Sequence, residues 1–157
     1  MDFFTPRKMD NLNLMIEIIN TAWNWKGFYA VKIIKSNDFG NVIFKTDKNQ
    51  YWRICPEELQ CEKIANSLSE LENLFKDEEY ILDWEMQELL KLAKNELGEL
   101  QEGEKFCLKM PAVIGGLYVK NNLGKISFTE LIAFSGDLGF QIKDVEDGEK
   151  IKLTIED

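Results

Sequence analysis

Apolar and polar positions change period several times along the chain, and each change marks an element. In "NLNLMIEIINTAW" (11–23), Leu12, Met15, Ile16 and Ile19 recur at helical spacing, and Gly27 marks the exit from a helix. "YAVKIIK" (29–35) follows as a strand, and "SNDFGN" (36–41) has the composition of a turn. "NVIFKT" and "QYWRIC", joined through "DKN", predict a β-hairpin. Pro56 cannot donate to a ladder, so the second strand of that hairpin ends at Cys55.

Helical spacing then returns. Ser67-Leu-Ser-Glu70 is a capping box that opens a short helix. Asp77 is an N-cap for a longer one, predicted to run to about Leu97 and stop at Gly98. Its buried stripe is expected to be Leu82, Met86, Leu89, Leu90, Ala93 and Leu97. At 100° per residue, Glu78, Glu85, Glu88, Glu96 and Glu99 fall in a neighbouring sector roughly 80° wide. "KFCLKMP" (105–111) alternates Phe106, Leu108 and Met110 inward as a strand, and Gly115-Gly116 predicts a bend. Ser127-Phe-Thr-Glu130 is a further capping box, opening a helix with Phe128, Leu131, Ile132, Leu138 and Ile142 on one side. Asp147-Gly148 predicts a turn into a last strand through Ile151, Leu153 and Ile155. Strands and helices come in mixed order, so the expected class is α+β, with a mostly antiparallel sheet and about four helices.

Composition narrows the function. A chain of 157 residues is expected to be a single domain, residues 1–157, with 1–20 as an N-terminal extension or helix start. No apolar run approaches the ~18–20 residues of a membrane span, and charges interrupt the first ten residues. A cytoplasmic protein without a membrane partner is expected. The net charge is -9, which argues against nucleic acid as a partner and suits a basic protein. Between Ser69 and Glu104 there are twelve acidic side chains and three basic ones. That surplus of nine equals the surplus of the whole chain, so one segment sets the sign of the protein's field.

The chemistry-bearing residues are few. The sequence has no histidine, which removes Ser-His-Asp, Cys-His and metal-His mechanisms. Cys55, Cys61 and Cys107 lack the short paired spacing of zinc or redox sites, and read as buried apolar cysteines with no metal or cofactor. Gly115-Gly116 and Gly124-Lys125 do not fit a phosphate-binding loop, because Ile126 stands where Ser or Thr is required. Glu57-Glu58, just after Pro56, read as a solvated turn rather than a catalytic pair. Trp84 lies off the stripe of the acidic helix. It is either an exposed anchor beside the carboxylates or a residue packed against the helix at 69–75.

Five stretches together carry a resemblance: "AWNWKGF" (22–28), "NDFGNVIF" (37–44), "YWRICPEELQCEKIA" (51–65), "MPAVIGGLYVKNN" (110–122) and "FSGDLGFQIKDVEDG" (134–148). From about residue 20 onward the chain resembles the C-terminal domain of bacterial type VI secretion DNase immunity proteins. The resemblance implies a non-enzymatic protein that neutralises a secreted toxin, with no catalytic residues to carry over. The quoted motifs themselves read as turns, strand ends and bends. "NDFGN" is an Asx-type turn, and Arg53 is expected to pair with a nearby carboxylate.

The expected function is therefore an acidic immunity-type inhibitor of a basic toxin, with Glu78, Glu85 and Glu88 as contacts and Trp84 as anchor. A ligand-sensing or scaffold module is the alternative. An enzyme working with carboxylates alone would need two of them converging in a cleft with one pKa raised.

Overall fold

A computed structural model describes residues 6–145, with side chains from residue 12 onward. The turn at Asp147-Gly148 and the closing strand expected after it lie outside the described residues.

Helix α1 (Pro6–Trp23) turns Met15, Ile19 and Trp23 inward at spacings of four, the last two fully buried. Leu12, expected in the same stripe, is exposed instead. Four strands follow as an antiparallel meander: β1 (Ala30–Ser36), β2 (Val42–Thr46), β3 (Tyr51–Cys55) and β4 (Gln60–Ala65), side by side in chain order. Both faces of this sheet are covered. Val42, Phe44, Ile54 and Cys61 meet α1, while Ile43, Tyr51 and Ala65 face the other way. Strand β4 was not expected. Charged Glu62 and Lys63 interrupt its pattern, and it follows β3 through a one-turn 3-10 segment at Pro56–Glu58, with Leu59 left-handed at φ 50°.

The capping residues act as their spacing predicts. Ser67 Oγ accepts the Glu70 N–H and starts α2 (Leu68–Leu74); Asp77 Oδ1 accepts the Glu79 N–H and starts α3 (Glu78–Glu85). The long acidic helix is not continuous, however. Met86 is left-handed, at φ 48° and ψ 40°, and the chain restarts as α4 (Gln87–Leu97). A left-handed non-glycine residue costs roughly 1–2 kcal/mol, so the break needs outside support. Asn37 supplies it by donating from Nδ2 to the Trp84 carbonyl (2.8 Å).

The break divides the expected stripe. Met86, Leu89, Leu90, Ala93 and Leu97 do pack inward, against Phe39 and the second hairpin, β5 (Glu104–Leu108) and β6 (Leu123–Ser127). Leu82 is instead 65% exposed, and Met110 lies beyond the end of β5 and is also exposed. Last comes α5 (Phe128–Ile142), started by Ser127 Oγ on the Glu130 N–H. It lies against α1 at a contact only glycine permits, since a Cβ on Gly136 would sit 2.5 Å from the Ala22 carbonyl oxygen. The described residues thus hold five α-helices and two antiparallel sheets, and the class is α+β.

Candidate functional site

The 37–41 turn organises the polar centre of the molecule. Asn37 Oδ1 accepts the N–H groups of Phe39 and Asn41, both at 3.0 Å, which makes the expected Asx turn. That places Asn41 fully buried at the head of β2. Its Oδ1 accepts from Arg53 Nε (3.1 Å) and Nη2 (2.8 Å), and its Nδ2 donates to both oxygens of Glu57 (3.0 and 2.9 Å). Arg53 Nη1 donates to Asp83 (2.9 Å) on α3. The guanidinium lies 5.0 Å from the centre of the Trp84 ring and 5.6 Å from that of Tyr80. The carboxylate expected for Arg53 is therefore Asp83.

Glu57 departs from its expected place. It is buried rather than solvated, and burial raises its pKa while the Asn41 hydrogen bond pulls the other way. Its neighbour Glu58 accepts a hydrogen bond from the Tyr118 hydroxyl. Glu57, Glu58, Glu62 and Asp83 converge with Arg53, Tyr80 and Tyr118 on a cleft of about 430 Å³. Carboxylates in a cleft with one pKa raised is what a histidine-free enzyme would require. Here Asn41 holds Glu57, Arg53 holds Asp83 and Tyr118 holds Glu58, so these groups are engaged in tying β2, β3, α3 and the 109–122 loop together. The thiols offer no more. Burial pushes Cys55 up to about 12 and also raises Cys61 and Cys107, so all three stay protonated and weakly reactive. Among the described residues no three Cys, Asp or Glu side chains come together as metal ligands.

The four residues expected at a contact surface separate. Trp84 is buried, with a T-shaped contact to Phe75 (5.8 Å) and with Leu71, Ile43 and Tyr51 in the same cluster. That corrects the exposed-anchor alternative and matches packing against α2. Indole burial of this kind is worth about 3–5 kcal/mol on truncation, and it holds α3 to the sheet. Glu78, Glu85 and Glu88 are exposed, and among the described residues none of them has an ion pair. Part of this acidity has a local use: Glu78 and Glu88 sit in the first turns of α3 and α4, where the helix dipole favours negative charge. Glu85 has no such use, since it ends α3 where the dipole disfavours it.

Beside these acids is a groove that sequence reasoning missed. Leu82, Met86, Leu89, Leu92 and Tyr118 line about 700 Å³ of space, with Asp83, Gln87 and Glu88 on its edge. Next to it the 109–122 loop exposes Met110, Val113, Leu117, Tyr118 and Val119. Asn122 pins that loop from inside: Nδ2 donates to the carbonyls of Met110 (2.9 Å) and Leu117 (3.0 Å), and Oδ1 accepts the Met110 N–H (2.9 Å). The apolar run "VIGGLYV" was the available signal, although its period suggested only a bend.

Residues 65–139 match the family of the T6SS immunity protein Tdi1, C-terminal. The resemblance carried by the sequence motifs is thereby shown over that stretch, just under half of the chain. No curated protein matches. The Tdi1 C-terminal match takes in α2, α3, α4, both strands of the second hairpin and α5 as far as Gly139. It therefore includes Glu78, Trp84, Glu85, Glu88, the groove and the 109–122 loop. Asn41, Arg53 and Glu57 fall outside it.

Proposed function

We propose that the chain is an immunity-type inhibitor that neutralises a secreted toxin by direct protein contact in the cytoplasm, with no chemistry of its own. The observation that carries this reading is the match of residues 65–139 to an immunity-protein family. The charge distribution supports it. A toxin that cuts nucleic acid must present Lys and Arg to phosphates, and carboxylates can meet the same groups. Glu85, Glu88 and Glu78 are the contacts, exposed and without ion pairs among the described residues. Complementary fields raise association rates by ~10–10³-fold, and the gain falls with salt.

The test is co-expression with the product of any toxin-like gene that flanks this chain's gene, paired with calorimetric titration at low and high salt. Growth protection is expected, together with binding that weakens as salt rises. A folded protein that neither protects nor binds at low salt removes the immunity reading.

A second reading, a ligand-sensing module, has one observation in its favour. A largely apolar cavity of about 430 Å³ lies between the second hairpin and α5, lined by Phe39, Leu108, Ile126, Leu131 and Phe134. A melting temperature raised by small apolar compounds, and left unmoved by the toxin, would favour it.

A further inference from the structure

We propose that the partner seats an apolar side chain in the groove of Leu82, Met86, Leu89, Leu92 and Tyr118, with a lysine or arginine beside it reaching Glu62 and Glu88. The proposal rests on the immunity reading and names the surface and the kind of toxin segment it fits.

Three observations carry it. The first is exposure. Leu82 and Leu117 are each 65% exposed, and Tyr118 and Val119 44% each. Large apolar side chains gathered in solvent mark interaction sites more often than they serve a fold.

The second is rigidity. The loop that presents Leu117, Tyr118 and Val119 is fastened at several points: by Asn122, by the Gly116 N–H on the Pro111 carbonyl (3.0 Å), and by the Tyr118 hydroxyl on Glu58. A Cβ on Gly116 would lie 1.7 Å from the Met110 carbonyl oxygen, so the loop closes on itself as tightly as a backbone can. Apolar groups held outward by a built scaffold lose little freedom on binding, which is how preorganised contacts gain affinity.

The third is charge. The groove and the adjoining acidic cleft share Asp83, Met86 and Tyr118, and among the described residues their walls together hold five carboxylates and one cation. That cation, Arg53, is already engaged by Asn41 and Asp83, and Glu57 is held by Asn41. Glu58 is held by the Tyr118 hydroxyl, so Glu62 and Glu88 are left to face the partner. A second copy of this chain is a poor occupant, because a two-fold contact would bring those carboxylates toward their own copies.

Binding of the toxin from which the chain protects in co-expression tests the proposal on purified protein, using Leu117→Asp and Leu82→Asp with Val31→Asp as control. Val31 is exposed on the outer strand β1, three strands from β4. All three positions are exposed, and circular dichroism of each variant checks that it folds. The expected result is that Leu82→Asp in the groove and Leu117→Asp on the adjoining loop each weaken binding by about tenfold or more while Val31→Asp binds as wild type does. Glu62→Gln combined with Glu88→Gln should flatten the salt dependence. If wild type binds and Leu82→Asp and Leu117→Asp bind equally well, the groove is overturned and the immunity reading stands. If wild type does not bind the toxin at all, both fall. If the chain self-associates and Leu117→Asp abolishes that, the occupant is a second copy and the proposal is overturned.

Discussion

Two asparagine-centred regions of this molecule solve opposite problems. Around Asn41, polar and charged groups are packed into the interior with partners: Arg53 on the amide oxygen and Glu57 on the amide nitrogen, with the largely exposed Asp83 on the far side of the guanidinium. Around Asn122, the amide satisfies backbone groups so that Leu117, Tyr118 and Val119 can stand in solvent. The first arrangement puts charge where burial is expensive, and the second puts apolar surface where water is expensive. A satisfied buried network secures one arrangement of β2, β3 and α3. An exposed apolar loop braced from within devotes that bracing to surface left in water, which is the ground for the docking proposal. The distinction assigns the carboxylates too. Glu57 and Asp83 belong to the fold, whereas Glu85 and Glu88 are available to a partner.

Breaking the interior network should have the largest effect. Arg53→Ala leaves the Asn41 amide oxygen without its donor and opens a gap beside the Trp84 and Tyr80 rings. A loss of about 3 kcal/mol or more is expected in urea unfolding, short of the upper end for buried pairs because Asp83 is itself largely exposed. A loss below about 1 kcal/mol would mean that water replaces the guanidinium without strain, and the network would no longer account for the position of α3. Breaking the outer brace should cost less stability and more function. Gly116→Ala forces the Met110 carbonyl aside, with an expected loss of about 1–2 kcal/mol and weakened toxin binding. Asn122→Ala should cost about 1 kcal/mol, since water can reach the groups it releases, and should increase proteolysis within 109–122. Toxin binding unchanged in both variants would detach the loop from function.

How far these regions were legible in the sequence follows from the range of the forces that set them. Local signals came through. The β2–β3 hairpin, the Asn37 turn and the caps at Ser67, Asp77 and Ser127 all depend on residues within a few positions of one another. The break at Met86 did not, because "DWEMQELL" reads as uninterrupted helix and the group that stabilises the break is Asn37, 47 residues away. Placing Leu82 in a buried stripe followed from that missed break. The burial of Glu57 was hidden for the same reason, since a Pro-Glu-Glu turn looks solvated until Asn41 arrives from another strand. Strands β4 and β6 were missed because Glu62 and Lys63 interrupt one pattern, and Gly124 and Lys125 the other. The exposure of Glu78, Glu85 and Glu88 was readable from charge alone. The groove beside them was not, because it exists only where α3, α4 and the loop meet.

The smallest expected effect gives the sharpest view of the interior network. Burial raises the pKa of Glu57 above its ordinary 4.5, so the folded protein holds a proton that the unfolded chain has already released. The native state then binds more protons across the window between the two values, and stability falls as pH rises through it. Above the folded value the cost of burying the charge is fully present. Glu57→Gln removes that cost and keeps an acceptor for Asn41. The variant should therefore be more stable than wild type at neutral pH, by about 1 kcal/mol or less, and the advantage should vanish towards pH 4. Urea unfolding at several pH values measures it. The opposite sign, a variant weaker at neutral pH and level with wild type in acid, would mean that Glu57 works as an anion through Asn41 on Arg53, and the interior would then be held by charge rather than by hydrogen bonding alone.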